Sequence, residues 1–234
     1  MSSILKNKRF RLLNLFTGLF ACAHYFYYSS ISDSFNLHNL VFIFTTTLFT
    51  YEFLQIKKIN FFFLSISILS LFIFKIDNIL GLSLAGLVTI AYEFKFREII
   101  WLKPISIALS WSLLFKFQQE HMSIFFESFI LILSLSIPFD IRDYNEDKQQ
   151  NFTTIVTRLG LFKSKLLCCA IWILYLIIKP LNHALDTRDI IVLGLMSLMY
   201  FILLKKIGPR ISRFYTYIYL DSILLVQIFL ILLK

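Results

Sequence analysis

Residues 137–160 read IPFDIRDYNEDKQQNFTTIVTRLG. Most of the chain around them is oily. Here Asp140, Asp143, Glu146 and Asp147 meet Arg142, Lys148 and Arg158 and a run of amides, between two apolar segments. The stretch is either a solvated loop or the place where chemistry happens. Which one depends on the side of a membrane it occupies and on where its carboxylates point.

Composition settles the class. Of 234 residues 58% are hydrophobic and only 16% charged, against about 25% charged in ordinary soluble domains. Phe alone occurs 27 times, too often for a water-exposed surface. The chain reads as a polytopic membrane protein. Its net charge of +9 would suggest nucleic acid in a soluble protein. In a membrane protein it reflects Lys and Arg collecting in cytoplasmic loops, so no nucleic-acid partner is expected. Cys22, Cys168 and Cys169 lie in apolar segments with no CxxC and no His at ligand spacing. They read as packing residues rather than a disulfide or zinc site. The basic start, MSSILKNKRFRLLNLF, lacks a small-residue cleavage site and reads as a retained first anchor.

Apolar runs fall at about 12–30, 37–55, 60–75, 78–93, 101–118, 122–139, 162–180, 188–205 and 213–233. Their lengths suit helices crossing about 30 Å of hydrocarbon, and the period-2 alternation of a membrane barrel is absent. The expected fold is therefore all-α: nine transmembrane helices in a single bundle, one domain over 1–234. Placing the N-terminus in the cytoplasm leaves five of the 23 Lys and Arg on the far side, namely Lys75, Lys116, Lys179, Arg188 and Lys234. The other 18 are cytoplasmic, which supports that orientation. The acidic stretch then faces the cytoplasm, from an inner or cytoplasmic membrane.

Asp140, Asp143 and Asp147 are spaced i, i+3, i+7. If the preceding helix runs on past the lipid, all three share one face, while Arg142 and Glu146 point elsewhere. Like charges on one stripe repel unless a cation or solvent relieves them. Mg²⁺ suits the task, because it takes oxygen ligands and binds through one or two carboxylates plus substrate phosphates. The alternative is a solvated helix end whose acids balance nearby bases.

DIRDYNEDKQQNFTTIVTRLG resembles the second aspartate-rich motif of the UbiA superfamily of membrane prenyltransferases. Asp143 and Asp147 match the motif's DxxxD pair, Thr154 its Thr, and Leu159-Gly160 its close. Weaker likenesses run along the chain in TLFTYEF (47–53), LKPISIALSWSLL (102–114) and FYTYIYLDSILLVQ (214–227). The resemblance implies that Asp143 and Asp147 are the catalytic, Mg²⁺-holding pair, with Asp140 beside them. It further implies transfer of a prenyl group from a polyprenyl diphosphate to a small acceptor, commonly an aromatic ring, as in quinone synthesis.

One part of the pattern is missing. The superfamily's first aspartate motif should follow the second helix, where this chain has YEFLQIKKIN, with Glu52, Lys57 and Lys58 but no Asp. Asn151 also stands where the family usually has Gly. Lys57, Lys58, Lys95 and Arg97 are candidates to hold diphosphate directly, against the plainer reading of positive-inside anchors. Asp221 lies about eight residues into the last run, where an ionisable group faces a cavity or a partner. His24 with Tyr25, Tyr27 and Tyr28 reads as an interfacial aromatic belt, and Ser65, Ser67 and Ser70 as helix-packing positions. Two functions remain open. One is a Mg²⁺-dependent prenyltransferase. The other is a non-catalytic, UbiA-like isoprenoid- or lipid-binding membrane protein that has lost the first motif.

Overall fold

The structure, a computed structural model, describes residues 3–31, 35–56, 61–73, 79–94, 99–116, 122–182 and 184–232. Among them it is helical, with no strand. The elements are α1 (Ser3–Ile31), α2 (Leu37–Ile56), α3 (Phe61–Ile73), α4 (Ile79–Phe94), α5 (Leu102–Lys116), α6 (Met122–Gln149), α7 (Ile155–Leu159), α8 (Leu161–Asn182), α9 (Thr187–Lys206) and α10 (Arg213–Leu232). Apart from the one-turn α7, each follows one of the expected apolar runs. Two run further than hydrophobicity alone dictates. α1 begins at Ser3, and α6 continues ten residues past Phe139 into the acidic stretch. Of the described helices α6, α8 and α9 are long and apolar enough to cross a membrane.

α8 shows why lipid rather than water suits these helices. Its buried stripe is Ser164, Cys168, Trp172, Tyr175 and Lys179, spaced for one helical face. The opposite side exposes Phe162, Leu166, Ile173, Ile177 and Leu181, the last at 78%. Polar groups face in and large apolar groups face out, the reverse of a water-soluble helix.

Two compact units are distinguishable. The first comprises Met1–Asp77 and Tyr217–Lys234, the second Asn78–Thr216. In the first, α1 packs on α2 and α2 on α3. Gly18 gives α1 its close approach to α2, since a Cβ there would meet the Phe44 ring at 3.0 Å. Ser67 donates to Thr45 Oγ1 at 3.2 Å across α3 and α2, the helix-packing role expected of it. The expected aromatic belt is instead buried. His24 is fully enclosed, edge-on to Tyr28 at 4.9 Å, with Nδ1 3.4 Å from Gln227 Oε1. Tyr25, Tyr27 and Tyr28 are also buried. Partners on other helices take the group inside: Asn39 of α2 donates to the Tyr25 hydroxyl at 3.4 Å, and Gln227 of α10 meets the His24 ring.

In the second unit α6 is central, with α5, α7 and α8 packed on it. Pro138 lies inside α6 and has no N–H to give the Ser134 carbonyl four residues earlier. The Tyr200 hydroxyl of α9 takes that place, donating to Ser134 O at 2.7 Å. Trp172 stacks on Tyr200 at 4.2 Å between ring centroids and donates to Ser197 Oγ at 3.0 Å. At the other end of α6, Glu127 accepts from Lys179 at 2.6 Å, both side chains essentially without solvent. Lys179 is thus a buried partner rather than a loop charge. Such a pair is costly to break from one side. α9 begins at a reciprocal cap, in which Asp189 N–H donates to Asp186 Oδ1 at 2.8 Å and Asp186 N–H to Asp189 Oδ2 at 3.0 Å. The Asp189 N–H holds the Asp186 carboxyl below its ordinary range.

Tyr200→Phe leaves the Ser134 carbonyl without its donor and should cost about 1–2 kcal/mol in detergent unfolding. Adding Pro138→Ala supplies a backbone N–H to the same carbonyl. The double variant should therefore lose less stability than the sum of the two single changes. Strict additivity would show that the hydroxyl does not stand in for the missing N–H.

Candidate functional site at the acidic end of α6

The α6 helix carries the acids beyond its apolar run because it is not stopped until Asn151. There the chain ends in a left-handed turn. Asn151 N–H donates to Lys148 O at 3.3 Å and Phe152 N–H to Asp147 O at 2.8 Å. This is a Schellman closure with Asn151, at φ 55°, in the position usually taken by Gly. Asn tolerates that region better than other residues with a Cβ. The departure from Gly at this place therefore keeps the turn.

Thr154 and Gly160 explain themselves locally as well. Thr154 caps α7: its Oγ1 accepts from Thr157 N–H at 3.2 Å, while Thr154 N–H donates to Thr157 Oγ1 at 2.8 Å. Gly160 closes α7 at φ 80°, a left-handed value that a side chain would strain. Its carbonyl accepts from Ser164 N–H at 3.1 Å. The one-turn α7 is thus held at both ends, and it carries the chain from the acid helix into α8.

The three aspartates do not behave alike. Lys103, in the first turn of α5, places its Nζ 2.5 Å from Asp140 Oδ1 and 3.7 Å from Asp147 Oδ2. Asp140 is essentially buried, at 1% exposure, and its Oδ2 has no hydrogen-bond partner. Asp143 is instead gripped by its neighbour: Arg142 Nε and Nη2 donate to its two oxygens at 2.8 and 2.7 Å. The guanidinium lies 5.2 Å from the Phe139 ring centroid. Arg142 therefore does not point away from the acid face, as helical spacing predicted. A fork on an adjacent carboxylate is a better partner than solvent. Glu146 does point away, and pairs with Arg213 at the start of α10.

Lys103 is the residue that sequence reasoning missed. It was visible as one cytoplasmic base among many. The usable signal was its place: immediately before Pro104, at the start of an apolar run, and on the same side as the acids. Pro104 is tolerated there because the first turn of a helix has unpaired N–H groups anyway. That fixes where α5 begins, and hence the level of Lys103 against α6.

The other candidates fall elsewhere. Lys57, Lys58, Lys95 and Arg97 lie outside the described residues. Glu52 is buried on α2 and Asp221 sits on α10, both within the first unit. Asp221 Oδ2 is enclosed and without a hydrogen-bond partner. Among the described residues no three acid, His or Cys side chains converge as a ready-made metal cage. The donor set nevertheless fits Mg²⁺. Carboxylate oxygens are the right chemistry, one of them is buried without a hydrogen bond, and Mg²⁺ commonly takes two carboxylates and completes its shell with water and phosphate.

No protein family matches this chain by sequence, and no curated relative does. Solved structures match along nearly its whole length. A UbiA homologue from Archaeoglobus fulgidus, solved with GPP and Mg²⁺, aligns over 96% of this chain and 100% of its own, with TM-score 0.64 and 12% identity. The Cd²⁺-bound form gives TM-score 0.68 at 13% identity. A structure of digeranylgeranylglyceryl phosphate synthase aligns over 97% of this chain and 96% of its own, with TM-score 0.60 and 16% identity. The chain has the UbiA-type fold. The likeness expected from one acidic motif and three weak segments is thus one of fold, along nearly the whole chain.

Thr154→Ala should fray α7 at a cost of about 1 kcal/mol, whereas Thr154→Ser should keep the cap. Amide hydrogen exchange at Thr157 and Arg158 checks this. Equal protection in wild type and Thr154→Ala would mean that the cap does not hold the turn.

Proposed function

We propose that this chain is a UbiA-type membrane prenyltransferase, transferring a prenyl group from a polyprenyl diphosphate to a small aromatic acceptor, as in quinone synthesis. In this reading nine helices form one transmembrane domain, the N-terminus is cytoplasmic, and the acidic end of α6 opens to the cytoplasmic face of an inner or cytoplasmic membrane. One observation carries the proposal. A chain with the UbiA-type fold keeps an aspartate cluster, two of its three members buried and all partly neutralised, on a helix whose end and following turn are locked by Asn151, Thr154 and Gly160.

Asp143 and Asp147 are the residues that would hold Mg²⁺, with Asp140 beside them. When bound, Mg²⁺ orients a diphosphate and stabilises the charge that develops as it leaves. The rest falls to the protein. Arg142 fixes the direction of the Asp143 carboxylate. Lys103 balances Asp140 and Asp147, and removes like-charge repulsion that would otherwise oppose an incoming diphosphate. The apolar helices keep the isoprenoid tail in hydrocarbon, at about 0.8 kcal/mol for each buried CH₂. Lys57, Lys58, Lys95, Arg97 and Asp221 remain candidates for contacts to substrate. The non-catalytic isoprenoid-binding reading draws on the absence of Asp from YEFLQIKKIN and on the lysine already seated between two of the acids.

The deciding experiment incubates purified protein with Mg²⁺ and labelled prenyl diphosphates, with and without a panel of aromatic acceptors, and measures diphosphate release. Asp143→Asn and Asp147→Asn should each reduce release by about 100-fold or more, while Glu52→Gln is tolerated. No release from wild type with any donor and acceptor would favour the non-catalytic reading. Equal loss in Glu52→Gln and Asp147→Asn would make Glu52 a metal ligand. For topology, single cysteines near residue 150 and at the C-terminus should label from opposite sides of the membrane; labelling from one side would sink the nine-span arrangement.

A further inference from the structure

Among the described residues, the acidic end of α6 joins three carboxylates, Asp140, Asp143 and Asp147, to two cations, Lys103 and Arg142. The two cations are engaged differently. Arg142 grips Asp143 with two N–H groups from the adjacent position. Lys103 reaches across from another helix, close to Asp140 at 2.5 Å and looser on Asp147 at 3.7 Å. A guanidinium fork on a carboxylate is a fixed partner, whereas an ammonium on a flexible four-carbon stem is a mobile point charge. The Lys103 side chain is also 12% exposed, against 6% for Arg142, so it has some access to solvent. Its ammonium lies 3.7 Å from Oδ2 of Asp147, one of the two acids proposed to hold a divalent cation.

We propose that Lys103 is a resident counter-cation, which a divalent metal must displace from Asp140 and Asp147, so that Lys103 sets the metal affinity of this site. The proposal deepens the reading of the α6 end as a metal and diphosphate site and rests on it. Without metal, the ammonium balances two acids that burial would otherwise leave repelling each other. With metal, the dication takes the oxygens and the ammonium is released while remaining nearby. Summed over Asp140, Asp143, Asp147, Lys103 and Arg142 alone, the charge then passes from net negative to net positive, which favours an incoming diphosphate. Binding becomes ordered: the metal alone binds weakly because it must first expel Lys103.

By linkage, the effect runs both ways. The test uses the full-length protein in nanodiscs with Mn²⁺ alone and no diphosphate, reading free Mn²⁺ by electron paramagnetic resonance. Lys103→Gln should bind Mn²⁺ at least about tenfold more tightly than wild type, since a unit charge within 4 Å of the site is gone. Lys103→Arg should stay near wild type, and adding Asp147→Asn to Lys103→Gln should abolish the gain. Unchanged or weaker binding in Lys103→Gln overturns the proposal. A second measurement needs no variant: saturating Mn²⁺ should speed acylation of Lys103 by an amine-reactive reagent several-fold in wild type, read by peptide mass spectrometry. Acylation at the metal-free rate also overturns it. Failure of diphosphate release with this Mn²⁺ pattern intact would count against the prenyltransferase reading while supporting the resident cation.

Discussion

The contact between the Lys103 ammonium and the carboxylates of Asp140 and Asp147 governs the second unit of this protein. Three acids on one helical stripe, the first at 1% exposure, would not persist without compensation. Desolvation and mutual repulsion both penalise them. The compensation comes from another helix, so α5 must start at the level where α6 leaves its apolar run. Pro104 at the start of α5 and the uninterrupted course of α6 to Gln149 meet that requirement together. On the proposal that Lys103 yields to a divalent cation, the same constraint leaves an exchangeable charge at this end of α6.

The surrounding structure keeps α6 in register for this contact. Pro138, two residues before Asp140, would leave the Ser134 carbonyl unpaired, and Tyr200 satisfies it. The Trp172 ring lies against Tyr200 and locks that hydroxyl from the α8 side. Beyond the acids, the left-handed Asn151, the Thr154 cap and Gly160 return the chain into α8 without loose backbone. Each is a small contribution of about 1 kcal/mol. Together they fix where the carboxylates sit, which matters more at a site than the energy itself.

The helices were legible because a lipid solvent writes them as long apolar runs, and every long helix follows such a run. The acidic cluster was legible because charged residues are rare enough there to stand out. What sequence could not show was pairing. Lys103 looked like one base among those of the cytoplasmic face, and Glu127 and Lys179 lie 52 residues apart with no local hint that they form one buried ion pair. Arg142 was misplaced because helical spacing describes backbone directions, while a long guanidinium side chain can fold back onto its neighbour. His24 and its tyrosines were assigned to the surface by composition, yet packing against α2 and α10 residues takes them inside. Pairings across helices depend on tertiary distance, which periodicity does not carry.

The central claim is that the acidic end of α6 is where a divalent cation and a prenyl diphosphate meet this chain. The most direct measurement is an experimental structure with Mn²⁺ and a non-hydrolysable prenyl thiodiphosphate, with the metal located by its anomalous signal. The account predicts a peak at coordinating distance from Asp143 and Asp147, with the diphosphate against it and the Lys103 ammonium moved off the carboxylates. A metal and head group bound elsewhere, with Lys103 still seated between Asp140 and Asp147, would contradict it.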